Sequence, residues 1–231
     1  MQEIARKVVG LFEENSNESY GIQMDNYMKN NFNHYGIKAN LRRALIKEFY
    51  PKIKLQTDSQ FKNLFEELWN MPQREYHHAA LDFAILKISQ MDETWLTFWK
   101  EKILSHSWWD SVDVIAPWFI GSILRSNKSE QIKYGYESME HTNMWMNRSA
   151  IIFQLKYKKN TNEELLYEMI LASSGSKEFF IKKAGGWALR EYGKTNPTSV
   201  SHFINQYRDV LSKLTVKEGE RNLFLEKTNK K

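Results

Sequence analysis

The chain has 231 residues and a mass of 27.5 kDa, and 42% of its residues are hydrophobic and 14% aromatic, which is enough to form a packed core and argues against disorder. It contains no cysteine, so disulfides, zinc sites built from thiolates and a cysteine nucleophile are excluded. A net charge of +5 and an isoelectric point near 9.1 permit a nucleic-acid partner but do not establish one.

The first residues and the distribution of apolar residues bear on the compartment. Glu3, Arg6 and Lys7 precede any apolar run, and this pattern does not match a secretory signal. No apolar run approaches the roughly 20 residues that a membrane-spanning helix needs. We therefore expect a cytoplasmic protein with no membrane partner.

Apolar residues recur with a helical period along most of the chain. Ile4, Val8, Leu11 and Phe12 form the first amphipathic stripe. Similar stripes follow at residues 18–32, 40–49, 58–70, 73–89, 92–105, 108–125, 142–158, 161–172, 177–193 and 198–212. Alternating strand patterns bounded by Asn-Gly or Asp-Gly turns do not occur in the sequence. The pattern predicts an all-α protein.

Two helix boundaries can be predicted from local motifs. Thr161 and Glu164 fit a capping box in which Thr161 is the N-cap of a helix. Asn196 and Pro197 mark a boundary between one helix and the next, because the residue before a proline is biased away from the helical conformation.

Four segments are similar to one another, at residues 74–84, 110–121, 147–157 and 182–192. Their separations, 36 positions from Ala80 to Ala116 and 35 from Tyr157 to Tyr192, are typical of two-helix repeats. The tetratricopeptide consensus fits none of them, whereas about five to six HEAT-like repeats of ~40 residues fit the length. We therefore predict an α-solenoid of HEAT-like helical pairs, forming a single domain over residues 1–231 with a concave groove.

Basic residues concentrate in the last two of these segments. The candidates for contact with a phosphate backbone are Arg148, Lys156, Lys159, Lys183, Arg190 and Lys194. The last three share one helix face with Trp187, because the spacings are four, three and four. A single basic helix face is more often simply solvated, but two such faces one repeat apart favour a nucleic-acid partner.

A tryptophan and a carboxylate lie four residues apart in the segment Ser107–Asp113, so Trp109 and Asp113 share one helix face. The ring face and the carboxylate both favour a cation. The alternatives are that Trp109 and Trp187 belong to the core and that Asp113 pairs with a lysine of a neighbouring repeat. The better candidates for core tryptophans are Trp108, Trp118 and Trp145.

Several motifs, in the same order, resemble the bacterial alkylpurine DNA glycosylases of the AlkD type, which are built from HEAT-like repeats. The motifs are Asn26–Asn30 with Gly36–Lys38 and Arg42–Arg43, Ser107–Asp113, Trp145 with Arg148 and Ile152–Tyr157, Phe179–Ala184, and Gly186–Tyr192 followed by Lys194–Pro197. Together they cover most of residues 20–197, which makes the resemblance far more specific than any single motif would.

The resemblance implies that Trp109, Asp113 and Trp187 contact the sugar and carry out catalysis, and that Tyr27 and Arg148 lie near the DNA. It implies a monomeric, nucleoid-associated hydrolase of base excision repair that cleaves the N-glycosidic bond of cationic N3- or N7-alkylated purines in duplex DNA. No metal or cofactor is expected, and the six histidines lack the helical spacing of a zinc site.

The chain departs from the family pattern at Asn33, His34, Asn147 and Gly185. The adjacent Gly185 and Gly186 are expected to loosen the helix that carries Trp187, by about 1 kcal/mol each relative to alanine. Two other functions remain open. One is a non-catalytic HEAT-repeat protein that binds distorted or branched DNA, and the other is a protein-binding HEAT scaffold with apolar anchors in its groove.

Overall fold

The computed structural model describes residues 2–221 and residue 223. The regular structure of these residues is helical, apart from one isolated bridge between Asn33 and Gln73. The prediction of an all-α protein is confirmed. The described residues form two compact units that divide after Gln90. The single domain over residues 1–231 and the solenoid stay predictions.

The first unit, up to Gln90, contains six α-helices. They are α1 (Glu3–Glu14), α2 (Glu18–Tyr27), α3 (Ala39–Ile46), α4 (Tyr50–Leu55), α5 (Asp58–Trp69) and α6 (Arg74–Ile85). The carboxylate of Glu75 on α6 accepts hydrogen bonds from the backbone N–H groups of three consecutive residues, Tyr35, Gly36 and Ile37. This buried carboxylate therefore ties the loop after α2 to α6.

The second unit begins at Met91, and its described part contains nine α-helices. They are α7 (Leu96–Leu104), α8 (Trp109–Val114), α9 (Gly121–Leu124), α10 (Lys128–Glu140), α11 (Met144–Ile152), α12 (Glu163–Ala172), α13 (Phe179–Gly193), α14 (Pro197–Gln206) and α15 (Lys213–Glu220). Its core includes the buried Trp95, Trp99 and Phe119, and the rings of Trp99 and Phe119 stack with their centroids 4.2 Å apart.

A wide π-helical turn, Ile115–Ile120, joins α8 to α9 without a break. Pro117 lies inside this turn and has no N–H to donate to the carbonyl of Asp113, four residues earlier. The regular α-helical hydrogen-bond ladder is therefore interrupted directly beside Asp113. Wide turns of this kind are rare and frequently lie at functional sites.

Of the two helix boundaries predicted from local motifs, one agrees with the structure and the other differs by one residue. The predicted boundary at Asn196 and Pro197 is confirmed, because α14 begins at Pro197. Asn196 is its N-cap and accepts a hydrogen bond from the N–H of Ser199. The prediction of Thr161 as an N-cap was wrong. The cap of α12 is Asn162, whose side chain accepts from the N–H of Leu165, while the Thr161 hydroxyl donates to the carbonyl of Lys158.

The paired glycines of α13 serve close packing. A Cβ added at Gly186 would lie 2.4 Å from the Cβ of Glu218 on α15, and one added at Gly185 would lie 3.2 Å from the methyl group of Thr215. Contacts under 3.0 Å essentially never occur, so α15 can approach α13 this closely only because Gly186 has no side chain. Both glycines are buried against α15, and the loosening of α13 expected from sequence stays a prediction.

Candidate active site

The centre of the site is a two-point ion pair between α8 and α11. The Nε of Arg148 donates to Oδ1 of Asp113 at 2.8 Å, and a terminal nitrogen donates to Oδ2, also at 2.8 Å. The other terminal nitrogen of Arg148 donates to the carbonyl oxygen of Phe180 at the start of α13. One guanidinium thus fixes the Asp113 carboxylate and links the three helices that carry the site.

Burial and the ion pair act on Asp113 in opposite directions. The side chain of Asp113 is 19% exposed and that of Arg148 is 5% exposed. Burial raises the pKa of Asp113 above its ordinary value, and the Arg148 guanidinium opposes this rise only in part. The neighbouring carboxylate of Asp110 adds to the rise. Asp113 therefore combines a fixed orientation, some access to solvent and a basicity above that of an ordinary aspartate.

Asp113 and Trp187 line the same cleft, which has a volume of about 200 Å³. Its other lining residues are Pro117, Trp118, Leu155, Lys156 and Glu191. They come from the π-helical turn, the segment after α11 and α13. We call this space, with its seven lining residues, the Asp113 cleft. It brings together two carboxylates, one ammonium group and two indole rings.

Trp109 lies one helical turn before Asp113 on α8 and is half-buried, but it does not line the Asp113 cleft. The rings of Trp108 just before α8, Trp145 on α11 and Phe180 on α13 pack on one another with centroid distances of 5.2–5.5 Å. The prediction of core positions is confirmed for Trp145, which is buried, and Trp108 is half-buried in this cluster. This aromatic packing joins the starts of α8, α11 and α13, the helices that carry Asp113, Arg148 and Trp187.

Among the described residues, no group of three or more His, Asp or Glu side chains is arranged to hold a metal ion. None of the helices in residues 2–221 is both long and apolar enough to cross a membrane.

Comparison with known proteins decides the family. The family model described as "DNA alkylation repair enzyme" matches residues 9–223. The chain belongs to the DNA alkylation repair enzyme family. A solved structure from Enterococcus faecalis, described as a "predicted DNA alkylation repair enzyme", is 32% identical in sequence with a TM-score of 0.84. The match covers 90% of this chain and 97% of that chain. No curated protein matches the chain.

The basic residues proposed for DNA contact in this family member fall into two groups. Lys183 and Arg190 both form ion pairs with Glu218 of α15, the first at 2.8 Å, and Lys194 pairs with Glu191 at 2.5 Å. The Lys183 ammonium, followed by the Arg190 guanidinium, holds the pKa of Glu218 below its ordinary value despite partial burial. The stripe on α13 is therefore largely neutralised by carboxylates of the same unit.

The remaining candidates for DNA contact differ in exposure. Lys156 and Lys159 are exposed after α11, and the Lys156 ammonium lies 4.1 Å from the centroid of the Trp118 ring. Arg148 is buried, with each of its three nitrogens in a hydrogen bond to protein. Tyr27, in the first unit, is 72% exposed at the end of α2. Contact between any of these residues and DNA stays a prediction.

The sequence interpretation of one tryptophan was wrong. Trp118 was expected in the core, but it is 39% exposed and lines the Asp113 cleft. The reason is the π-helical turn, which changes the direction of side chains after Asp113. Pro117, one turn after Asp113 inside an otherwise helical pattern, is the sequence signal that could have indicated this change.

Proposed function

We propose that this family member is a DNA glycosylase that hydrolyses the N-glycosidic bond of cationic N3- and N7-alkylated purines in duplex DNA. The proposal extends the family assignment to a specific reaction and substrate class. The observation that carries it is the oriented Asp113 carboxylate, which faces a cleft shared with the Trp187 ring. Trp109, Asp113 and Trp187 form the proposed catalytic trio, and Trp109 lies on the same helix as Asp113.

Alkylation at N3 or N7 gives the purine a positive charge, which makes it a good leaving group. As the bond between C1′ and the base nitrogen breaks, its electron pair moves to the base and neutralises that charge. No general acid is therefore required. The positive charge passes to the sugar, which becomes oxocarbenium-like. The oxygen of a water molecule then bonds to C1′, and one proton of that water passes to a general base of the protein. The products are an abasic site and a free neutral purine.

Asp113 suits two parts of this reaction. Its negative charge stabilises the oxocarbenium-like sugar, and its oxygens can orient the water and accept the proton. Burial strengthens both effects, because the low local dielectric increases the attraction between opposite charges. The Trp187 ring offers a π face to the same sugar. These roles require the ionised carboxylate.

Arg148 contributes by holding Asp113. Its two parallel hydrogen bonds restrict the carboxylate to one orientation, and its charge favours the ionised form against the effect of burial. Each carboxylate oxygen has a second lone pair, which remains for water or a developing charge. The buried guanidinium is thus a positioning group for the proposed reaction, and the prediction that it contacts DNA is a separate matter.

The alternative is a non-catalytic HEAT-repeat protein that binds distorted or branched DNA. The two-point ion pair favours it in one respect, because a carboxylate bound to Arg148 could have a purely structural role. Its location argues for chemistry, because a protein that only binds phosphates gains nothing from a carboxylate facing the cleft.

Product analysis separates the two functions. Duplex DNA treated with a methylating agent is incubated with the protein at neutral pH, and free purines and abasic sites are quantified. We expect 3-methyladenine and 7-methylguanine above the rate of spontaneous loss, with an equal number of abasic sites. A duplex containing O6-methylguanine, whose base is uncharged, serves as the control and should release nothing. Tight, salt-sensitive DNA binding with no release of any base would support the non-catalytic alternative.

A further inference from the structure

The π-helical turn presents an aromatic residue to the Asp113 cleft that the proposed trio does not include. Trp118 follows Asp113 by five residues. In a regular α-helix a residue at that spacing lies about 140° around the axis, on another face. A π-helical turn hydrogen-bonds residues five apart and brings such a pair to one side. Asp113 lies two residues before this turn and Trp118 lies inside it, and both line the same cleft.

The exposure of Trp118 is unusual for this unit. Trp95 and Trp99 are fully buried, and Trp145 is buried as well, whereas Trp118 is 39% exposed. The Lys156 ammonium lies 4.1 Å from the centroid of this ring and forms a cation–π contact with it. An exposed aromatic side chain beside a cation is suited to a nucleotide, since the ring stacks on a base or sugar while the cation attracts the neighbouring phosphate.

We propose that Trp118 is a DNA-contacting residue of the Asp113 cleft, which stacks on the damaged strand while Lys156 binds an adjacent phosphate. The strand would then lie between indole rings from two different elements, the π-helical turn and α13. This inference rests on the proposed function for the location of the substrate. It adds a binding role to Trp118 and leaves the chemical step to Asp113.

Binding experiments test this role independently of base release. The affinity of Trp118→Ala for a duplex with a stable abasic-site analogue should fall about 10-fold, within the range for one stacked nucleotide. Trp118→Phe keeps a ring and should restore most of the affinity. Tyr136→Ala removes an exposed aromatic ring that does not line the cleft, and it should bind as the native protein does. Circular dichroism and thermal melting establish that each variant is folded.

Fluorescence provides a readout that a structural role would not change. DNA binding should quench the tryptophan fluorescence of the native protein more than that of the Trp118→Phe variant. The difference in quenching is the contribution of Trp118 itself. Unchanged affinity of Trp118→Ala together with equal quenching of the native protein and Trp118→Phe would overturn the proposal. An equal loss of affinity in the Ala and Phe variants would overturn it too, because binding would then not depend on stacking.

The two proposals fail in distinguishable ways. If the native protein releases no base but Trp118→Ala loses affinity, the glycosylase proposal fails and Trp118 remains a DNA contact. If the native protein releases bases and Trp118→Ala binds and reacts normally, the role of Trp118 is wrong and the glycosylase proposal stands.

Discussion

Asp113→Asn is the substitution that separates charge from shape at the proposed site. Asparagine has nearly the same volume as aspartate but no negative charge. Stabilisation of the oxocarbenium-like sugar and acceptance of the water proton are both weakened. We expect base release at saturating protein to fall by about one to two orders of magnitude, which corresponds to roughly 1.4–2.8 kcal/mol of activation free energy.

The same substitution should also lower stability, by an amount that follows from the ion pair. Arg148 donates one hydrogen bond to each carboxylate oxygen. Asparagine can accept one of them, while its NH₂ group meets the other donor. Loss of one hydrogen bond to a charged group costs about 1.5–3 kcal/mol. For a chain of this size, Tm should fall by roughly 3–12 °C.

The assay is single-turnover release of 7-methylguanine, with circular dichroism on the same samples. Asp110→Asn is the matched control, because Asp110 lies on the same helix and does not line the Asp113 cleft. It should retain the native rate at neutral pH. A folded Asp113→Asn protein with the native rate would refute the catalytic role of Asp113, and a lower rate explained entirely by unfolded protein would make the residue structural.

Four further predictions follow from the charges and the packing of the site. Because the pKa of Asp113 is raised and its ionised form is the active one, a pH–rate profile should show base release declining in acid with a midpoint above the pKa of an ordinary aspartate. A midpoint at or below that pKa would contradict this prediction. Arg148→Ala should shift this midpoint to higher pH and slow release more than it weakens DNA binding; an unshifted midpoint with a large loss of affinity would instead indicate that Arg148 binds phosphate. Glu218→Gln should release Lys183 and Arg190 from their ion pairs, so DNA binding should tighten and depend more steeply on salt concentration. The slope of log K against log salt concentration should grow in magnitude by about 1–2. An unchanged slope would mean that these two cations do not reach DNA. Gly186→Ala should destabilise the protein by about 1–3 kcal/mol in a denaturant titration, because its Cβ would overlap Glu218, and a neutral effect would show that α15 can move aside.

The sequence predicted the helical class because apolar periodicity is repeated along the chain, but it missed elements without a strong stripe. Helix α10 was not predicted, because several positions that it buries are polar or lack a side chain, including Gln131, Gly135 and Ser138. The N-cap of α12 was misplaced by one residue, since Thr161 and Asn162 can both cap a helix.

The site was predicted in part. The spacing of Trp109 and Asp113 indicated a shared helix, and both residues lie on α8. From sequence, Asp113 could either lack an ion-pair partner or pair with a lysine of a neighbouring repeat. In the structure its partner is Arg148, 35 positions away. Pairings between helices depend on how the helices pack, which periodicity does not determine. Trp118 was misassigned because a regular helical period was assumed across Pro117.

The central claim is that this protein breaks the glycosidic bond of a cationic purine. It is tested most directly with a duplex that carries one 7-methylguanine, in which abasic sites are counted over time at neutral pH and excess protein. We predict a first-order rise well above the spontaneous rate, with free 7-methylguanine appearing in equal amount. A time course that matches the protein-free duplex, with the protein shown by gel shift to be bound, would contradict the claim.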